Sequence, residues 1–168
     1  MGRGATKAAD NVWYQARKEA AKWNNKLSSR AGAAEELNIS EDAVKDVELS
    51  LNKCMPVDTA VRMAKLYKAP NLLNHYCLCE CPIGCYQSIS DALLSIDRVT
   101  VKLLYIMRVD KIGEMKDTLL GIAEDGVIGE DDKQDMKKVV EYLDSISKTI
   151  SELKTAAMIS LGDDWNGW

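Results

Sequence analysis

The chain contains one histidine, three prolines and no long apolar run. A membrane helix needs about 18 or more consecutive apolar residues, and the first ten residues lack the apolar core of a signal peptide. We therefore expect no membrane partner and a cytoplasmic location. With one histidine and no glycine-rich phosphate loop, the chain offers no convincing Ser–His–Asp triad, Cys–His pair or Walker motif. We expect a protein that is not an enzyme.

Positive charge is also scarce. The 168 residues carry 22 Lys and Arg against 26 Asp and Glu, which gives a net charge of −4. A DNA-binding protein normally presents a basic surface, so this balance is unexpected for one. Five cysteines in a cytosolic chain indicate reduced thiols or a bound metal rather than disulfides.

Helical periodicity runs through almost the whole chain, and alternating β-branched runs are few, so the sequence predicts an all-α fold. In the first predicted helix we expect Trp23 to face inward and Arg17 to lie on the outer side. The predicted helices of the first half cover residues 11–24, 29–37, 41–49, 56–67 and 71–76.

The stretch Ser28–Glu48 has the pattern of a short helix, a tight turn and a second short helix. Ser29 and Ser40 are the expected N-caps of these helices, and Asn38 can adopt the left-handed conformation that ends the first one. Small residues from Gly32 onward would let the two helices approach closely. In many regulators this arrangement places the second helix in the major groove of DNA.

The same stretch resembles the helix-turn-helix of the Xre family, the Cro and lambda-repressor-type regulators, and in particular a subgroup from clostridia and related bacteria. The resemblance rests on SSRAGAAEELNIS at 28–40, Glu48, PVDTAVRMAKLYKAP at 56–70, NLLNHYCLCECPIG at 71–84 and IAEDGVIGEDD at 122–132. It implies a five-helix lambda-repressor-like domain at 11–76 and a transcriptional regulator that binds double-stranded DNA. Residues 1–10, which precede the resemblance, are expected to be a flexible leader.

The recognition-helix positions that match the family are unusually acidic. The four matching positions are Glu41, Asp42, Lys45 and Asp46. Family members usually carry Arg, Ser, Thr or Gln at several of these positions, whereas three of the four are acidic in this chain. Carboxylates beside phosphates repel the duplex, so the alternative is a protein-interaction module that docks a basic partner. The candidate DNA-contacting residues are Arg17, Lys26, Ser28, Ser29, Arg30, Ser40, Glu41, Asp42, Lys45, Asp46 and Lys53.

Residues 87–160 carry apolar side chains at alternating spacings of four and three, which predicts a long helical hairpin or three-helix bundle. We expect this bundle to form a homodimer, because paired recognition helices read two half-sites; a monomeric packing module is the alternative. The acidic segment 161–168 is expected to be a flexible tail. The predicted buried stripes are Ile89, Leu93, Ile96, Thr100, Leu103 and Met107; Ile112, Met115, Leu119 and Ile122; and Met136, Val139, Leu143, Ile146, Ile150, Leu153 and Ala157.

A cysteine-rich joint at 77–86 separates the two halves. Its thiols, Cys77, Cys79, Cys81 and Cys85, follow the spacing C-x-C-x-C-x₃-C and could hold Zn²⁺ or an iron–sulfur cluster. One nine-residue segment would then have to wrap tightly around the metal, so the alternatives are thiols that fill a helix joint, or a redox-linked pair.

Three further features favour structural roles. We expect His75 to be a packing or capping residue and Cys54 to be part of the core. The acidic turn EDGVIGEDD at 124–132 lacks the residue order of an EF-hand loop and is expected to be an exposed turn before a helix.

Overall fold

The computed structural model describes residues 8–51, 54–124, 129–130 and 132–162, and within these ranges the protein is all-helical without strands, as the periodicity predicts. Lys53 lies outside the described residues, as do residues 125–128 and 131 of the expected acidic turn at 124–132. The α-helices are α1 (Val12–Ala20), α2 (Arg30–Leu37), α3 (Glu41–Glu48), α4 (Val57–Leu66), α5 (Asn71–Cys79), α6 (Ile96–Ile106), α7 (Val109–Ala123) and α8 (Asp132–Leu161); 3₁₀ turns cover Asn25–Ser28 and Gly84–Tyr86.

The chain divides into two compact units. The first comprises residues 1–84 together with 158–168, and the second comprises residues 85–157. The boundary lies within the expected cysteine-rich joint, but α5 continues through Cys77 to Cys79, so the joint begins later than predicted. Among the described residues, no helix is long and apolar enough to cross a membrane.

Helix α1 begins where the side chain of Asn11 accepts hydrogen bonds from the backbone N–H groups of Trp13 and Tyr14, at 2.9 and 3.0 Å. It ends at Ala20, earlier than predicted. Asn24 caps a separate 3₁₀ turn by accepting from the N–H of Lys26, because an asparagine side chain competes well for backbone donors.

Three expectations about the first unit are corrected. Trp23 does not face inward, since it is 52% exposed after the end of α1. Ala8 is buried, and its carbonyl accepts from the N–H of Asn11, so the expected flexible leader does not extend over residues 8–10. Cys54 is exposed, and its neighbour Met55 is the core residue.

The core of the first unit is formed by apolar side chains from α1 to α5 and their connections. Met55 is fixed there by its backbone, because its N–H donates to a carboxylate oxygen of Glu80 and its carbonyl accepts from the hydroxyl of Tyr76. The largest apolar side chains of this core are Trp13, Leu27, Leu37, Met55, Met63, Tyr67, Leu72 and Tyr76.

In the second unit, the segment before α6 is not helical although its sequence has heptad spacing. The hydroxyl of Ser88 donates to Asp144, and the backbone N–H of Ser90 donates to Ser151 Oγ at 2.9 Å. Through these two bonds to α8, Ser88 and Ser90 have hydrogen-bond partners although their own segment is not helical. The predicted helix therefore starts at Ile96 instead of around Ile89.

Of the predicted stripe on helix α8, only Val139 is fully buried. Leu143 and Ile150 are 46% and 39% exposed. Polar side chains occupy buried positions instead, and Glu152 accepts from Lys102 Nζ on α6 at 2.6 Å. The residues that α8 buries are Val139, Thr149, Glu152, Thr155 and Ala156.

Candidate functional site

Helices α2 and α3 are joined by a three-residue turn whose geometry follows from local side-chain contacts. Ser29 Oγ accepts from the N–H of Gly32 at 3.0 Å, and Ser40 Oγ accepts from the N–H of Ala43 at 3.1 Å. Asn38 has a φ of 52°, in the left-handed region. The two predicted caps and the predicted turn residue are therefore confirmed.

Gly32 is required by a close backbone approach. A Cβ at this position would lie 2.0 Å from the carbonyl oxygen of Lys26, far inside van der Waals contact. The sequence had suggested a close approach between the two helices, whereas the contact is with the 3₁₀ turn before α2. Ala33 and Ala34 are both buried.

A buried ion-pair network holds the C-terminal end of α3. Both carboxylate oxygens of Glu48 accept from Arg17, at 2.5 Å from Nε and 3.1 Å from Nη2. Arg30 Nε donates to the same carboxylate at 2.7 Å. Arg17 Nη1 also donates to the carbonyl of Leu27 at 2.8 Å. One carboxylate thus ties α3 to α1 and to the start of α2.

This network corrects the expectation for Arg17. The side chain was predicted to lie on the outer side of α1 and to contact DNA, but it is only 3% exposed and its guanidinium is engaged inside the unit. Tyr67 lies in the same buried region; burial, and then the nearby Glu48 carboxylate, raise the pKa of its hydroxyl, while Arg17 acts in the opposite direction. Arg17 and Glu48 can both be ionised in this buried region because each compensates the charge of the other.

The other candidate cations also have carboxylate partners. Lys26 Nζ lies 2.6 Å from Glu36 Oε1, and the hydrogen bond to Glu36 and the charge of Glu35 raise the pKa of Lys26. Lys45 Nζ lies 3.3 Å from Asp42 Oδ1. Each of these lysines would have to exchange a carboxylate for a phosphate in order to bind DNA.

The exposed surface of α2 and α3 is acidic. Ser28, Ser29 and Ser40 are exposed and can donate hydrogen bonds to phosphate oxygens. Between residues 28 and 48, however, the sequence has only Arg30 and Lys45 as cations. Apart from the buried Glu48, the carboxylates of the same segment are Glu35, Glu36, Glu41, Asp42 and Asp46.

The four thiols of the cysteine segment do not converge. Cys77 and Cys79 lie on α5, and Cys81 and Cys85 follow it. Within residues 8–51, 54–124, 129–130 and 132–162, no three His, Cys, Asp or Glu side chains are grouped as metal ligands. Burial, and then the neighbouring Cys81, raise the pKa of the Cys77 thiol. A metal or redox role for this segment remains a prediction.

Gly84 gives the cysteine segment a structural role. A Cβ on Gly84 would lie 1.4 Å from the carbonyl oxygen of Cys77, so only glycine allows the chain to turn back against the last turn of α5. The N–H of Gly84 donates to the carbonyl of Cys81 at 2.9 Å, which closes the turn. The Cys-Pro-Ile-Gly sequence thus ends α5 in a compact turn.

A cavity of about 340 Å³ lies between the start of α1, the end of α3 and α5. Trp13 and Val47 supply apolar wall, and the ring nitrogen Nδ1 of His75 lies 3.8 Å from Cys79 Sγ on the same rim. The amide of Asn11, also on the wall, donates to the carbonyl of Val47 at 3.0 Å. The arrangement is compatible with the packing role expected of His75.

Comparison of the chain with protein-family models, with curated proteins and with solved structures gave no match. The likeness to Xre regulators therefore rests on the sequence motifs described above. Sequence reasoning had noted Glu48 as part of the family motif but had missed its pairing with Arg17, which lies 31 residues earlier in the chain. An arginine and a glutamate at otherwise apolar helix positions were the available signal.

Proposed function

We propose that the protein is a non-catalytic, DNA-binding transcriptional regulator of Xre type that acts as a homodimer, with α2 and α3 as its helix-turn-helix and α3 as the recognition helix. The observation that supports this most directly is the capped turn from Asn38 to Ser40 combined with the anchoring of α3 through Glu48. These contacts hold two short helices rigidly while the first turn of α3 stays exposed, which is the requirement for groove recognition.

The contacts available on this surface predict a weak, salt-sensitive interaction. Lys45 on α3 and Lys26 before α2 can each reach a phosphate only by leaving a carboxylate. Glu41 and Asp42, at the start of α3, can accept hydrogen bonds from cytosine N4 but repel the backbone. We therefore expect binding that depends strongly on the few cations and serines around the helix ends.

Binding to random-sequence duplex DNA at two salt concentrations tests the proposal. If about three phosphates are neutralised, affinity falls about 40-fold between 50 and 200 mM salt. The Lys45→Ala variant should lower both the affinity and the salt slope. A matched control is Lys138→Ala, because Lys138 on α8 has the same i,i+3 pairing with an aspartate, at 2.8 Å from Asp135. No binding at 50 mM salt would refute a DNA-binding role.

The acidic surface favours a second candidate, a helix-turn-helix that docks a basic protein partner instead of DNA. Asp42 is 84% exposed at its side chain, and Glu41 beside it is also exposed. Changing Glu41, Asp42 and Asp46 together to lysine separates the two candidates. An interaction module would lose binding to a lysine-rich test peptide and gain non-specific DNA affinity, whereas a regulator whose wild type already binds DNA would show no peptide binding before or after the change.

A further inference from the structure

The cavity between the start of α1, the end of α3 and α5 is large enough for a small organic molecule. Its volume of about 340 Å³ lies at the lower end of the range for ligand sites. Trp13 and Val47 form an apolar part of its wall, and both residues belong to the buried core of the first unit. One side of the cavity is therefore suited to a hydrophobic group.

Another part of the wall is acidic. Asp10 and Glu80 both line the cavity, and no lysine or arginine is found among the described residues that line it. Glu80 is held in place because its Oε2 accepts from the N–H of Met55 at 2.8 Å. Asp10 lies in the turn that closes where the N–H of Asn11 donates to the carbonyl of Ala8 at 3.0 Å. Backbone contacts thus hold the positions of both acidic residues.

Two helix C-termini make the same region more negative. α3 ends at Glu48, and Val47 and Ser50 at this end line the cavity; α5 ends at Cys79, which also lines it. The C-terminal end of a helix carries a partial negative charge and favours cations. The positive end of α1 borders the cavity as well, but its first free N–H groups already donate to the Asn11 side chain. The net effect is a negative site beside an apolar wall.

We propose that this space, called here the α1–α3–α5 cavity, binds a small organic cation: an amine on a compact apolar body. Asp10 and Glu80 supply the counter-charges for the ammonium group, and Trp13 and Val47 contact the apolar body. The site lies within the first unit, and its occupation does not depend on DNA binding or on a homodimer.

The wall favours an organic cation over a metal ion or an anion. His75 Nδ1 and Cys79 Sγ lie 3.8 Å apart on the rim, but in the described ranges no three His, Cys, Asp or Glu side chains are grouped as metal ligands. A metal ion would also leave the apolar wall uncovered. An anion would meet two carboxylates without a cation in the wall, and such like-charge contacts are strongly unfavourable.

Asn11 connects the wall of the cavity to α3. Its amide donates to the carbonyl of Val47 at 3.0 Å and to Ser50 Oγ at 3.2 Å, while its Oδ1 caps α1. Ser50 is held at a φ of 53°, in the left-handed region that serine rarely adopts. A ligand in the cavity lies against both helices that Asn11 joins, so it stabilises their present arrangement. The consequence that an amine raises the DNA affinity of α3 rests on the proposed function.

NMR titration of the isotope-labelled full chain with phenethylamine tests the site without DNA. Backbone signals of Val47, Ser50 and Cys79 should shift, with a dissociation constant of about 1 mM, which is ordinary for so small a ligand. Phenethyl alcohol has nearly the same shape without the charge and should bind about tenfold more weakly, because it forms no charge-assisted hydrogen bond. Phenylpropanoate, an anion of similar size, should cause no shift.

Variants of similar shape test the two carboxylates. Asp10→Asn and Glu80→Gln should each weaken phenethylamine binding about tenfold, since each removes one counter-charge. Glu80→Gln keeps an oxygen that can accept from the N–H of Met55, so the fold is retained. The control is Glu41→Gln, which removes the same charge from the first turn of α3, at the end away from the cavity. Equal binding of the amine and the alcohol, or amine binding that survives both cavity variants, would overturn the proposal.

A matched pair of cysteine variants tests the location. Cys79→Phe places a bulky ring at the rim and should block the amine, whereas Cys85→Phe, at an exposed position outside the wall, should not. No shift at about 10 mM phenethylamine, or stoichiometric Zn²⁺ binding that displaces the amine, would also overturn the proposal. If the amine binds but leaves the DNA affinity unchanged, the link to α3 alone is wrong. Failure of the chain to bind DNA would refute the proposed function and leave the titration result as it is.

Discussion

Arg17 Nε and Glu48 Oε1 lie 2.5 Å apart in the first unit, with side chains only 3% and 2% exposed. Arg17 lies in α1 and Glu48 ends α3, so this one contact joins two helices that are distant in sequence. Arg30 supplies a second, partly exposed cation to the same carboxylate. The position of α3, the proposed recognition helix, therefore depends on the Glu48 carboxylate, which is buried and paired with both arginines.

Replacing Arg17 by methionine should destabilise the first unit. The substitution leaves the buried Glu48 carboxylate with Arg30 alone, and removing one partner of a buried pair costs about 3 kcal/mol or more. Urea unfolding followed by circular dichroism measures the loss. Lys22→Met is the control, because the Lys22–Glu19 pair has a similar distance of 2.6 Å but is 70% exposed on both sides. A similar loss in both variants would contradict the special role of the Arg17–Glu48 pair.

The Gly32→Ala and Gly113→Ala variants should change stability in opposite directions. The new Cβ at Gly32 would collide with the carbonyl oxygen of Lys26, and relieving such overpacking costs about 2 kcal/mol. Nothing lies within 4 Å of the equivalent atom at Gly113, inside α7, where alanine is favoured over glycine by about 0.5–1 kcal/mol. Thermal unfolding of both variants checks the two signs, and a neutral Gly32→Ala would refute the close approach.

Asn38 should tolerate glycine better than alanine. Its φ of 52° lies in the left-handed region, which costs an alanine about 1 kcal/mol but is open to glycine. Asn38→Ala should therefore reduce stability and, by loosening the turn, also reduce the DNA affinity proposed for α3. Asn38→Gly should leave both nearly unchanged. A more stable Asn38→Ala variant would show that the turn has another conformation in solution.

The cysteines should differ in reactivity. Burial raises the pKa of the half-buried Cys77 thiol, so at pH 8 less of it is thiolate and it should react with a thiol-specific reagent more slowly than the exposed Cys54. The difference should shrink as the pH rises through the raised pKa of Cys77. Alkylation followed by peptide mass spectrometry measures each rate. One bound zinc per chain after purification without chelators, with Cys77, Cys79, Cys81 and Cys85 all protected, would instead support the metal hypothesis.

Local signals were sufficient to place α2 and α3. The caps at Ser29 and Ser40 and the turn at Asn38 each depend on contacts within three residues, so their residue types carry the information directly. The all-α class follows from periodicity in the same way. The predicted end of α1 was wrong because the Asn24 side chain caps a separate 3₁₀ turn at Asn25–Ser28, although the apolar spacing continues to Trp23.

The sequence by itself thus determined that the chain is helical and where its short helices begin and turn. Only the tertiary structure decided which faces are buried, because that depends on partners far along the chain. Arg17 is buried through Glu48, 31 residues away, and Ser90 leaves the helical pattern to bond Ser151, 61 residues away. Helical spacing alone cannot choose between two apolar sides of one helix. In α6 the packing buries Val99 and leaves Ile96, from the predicted stripe, 46% exposed.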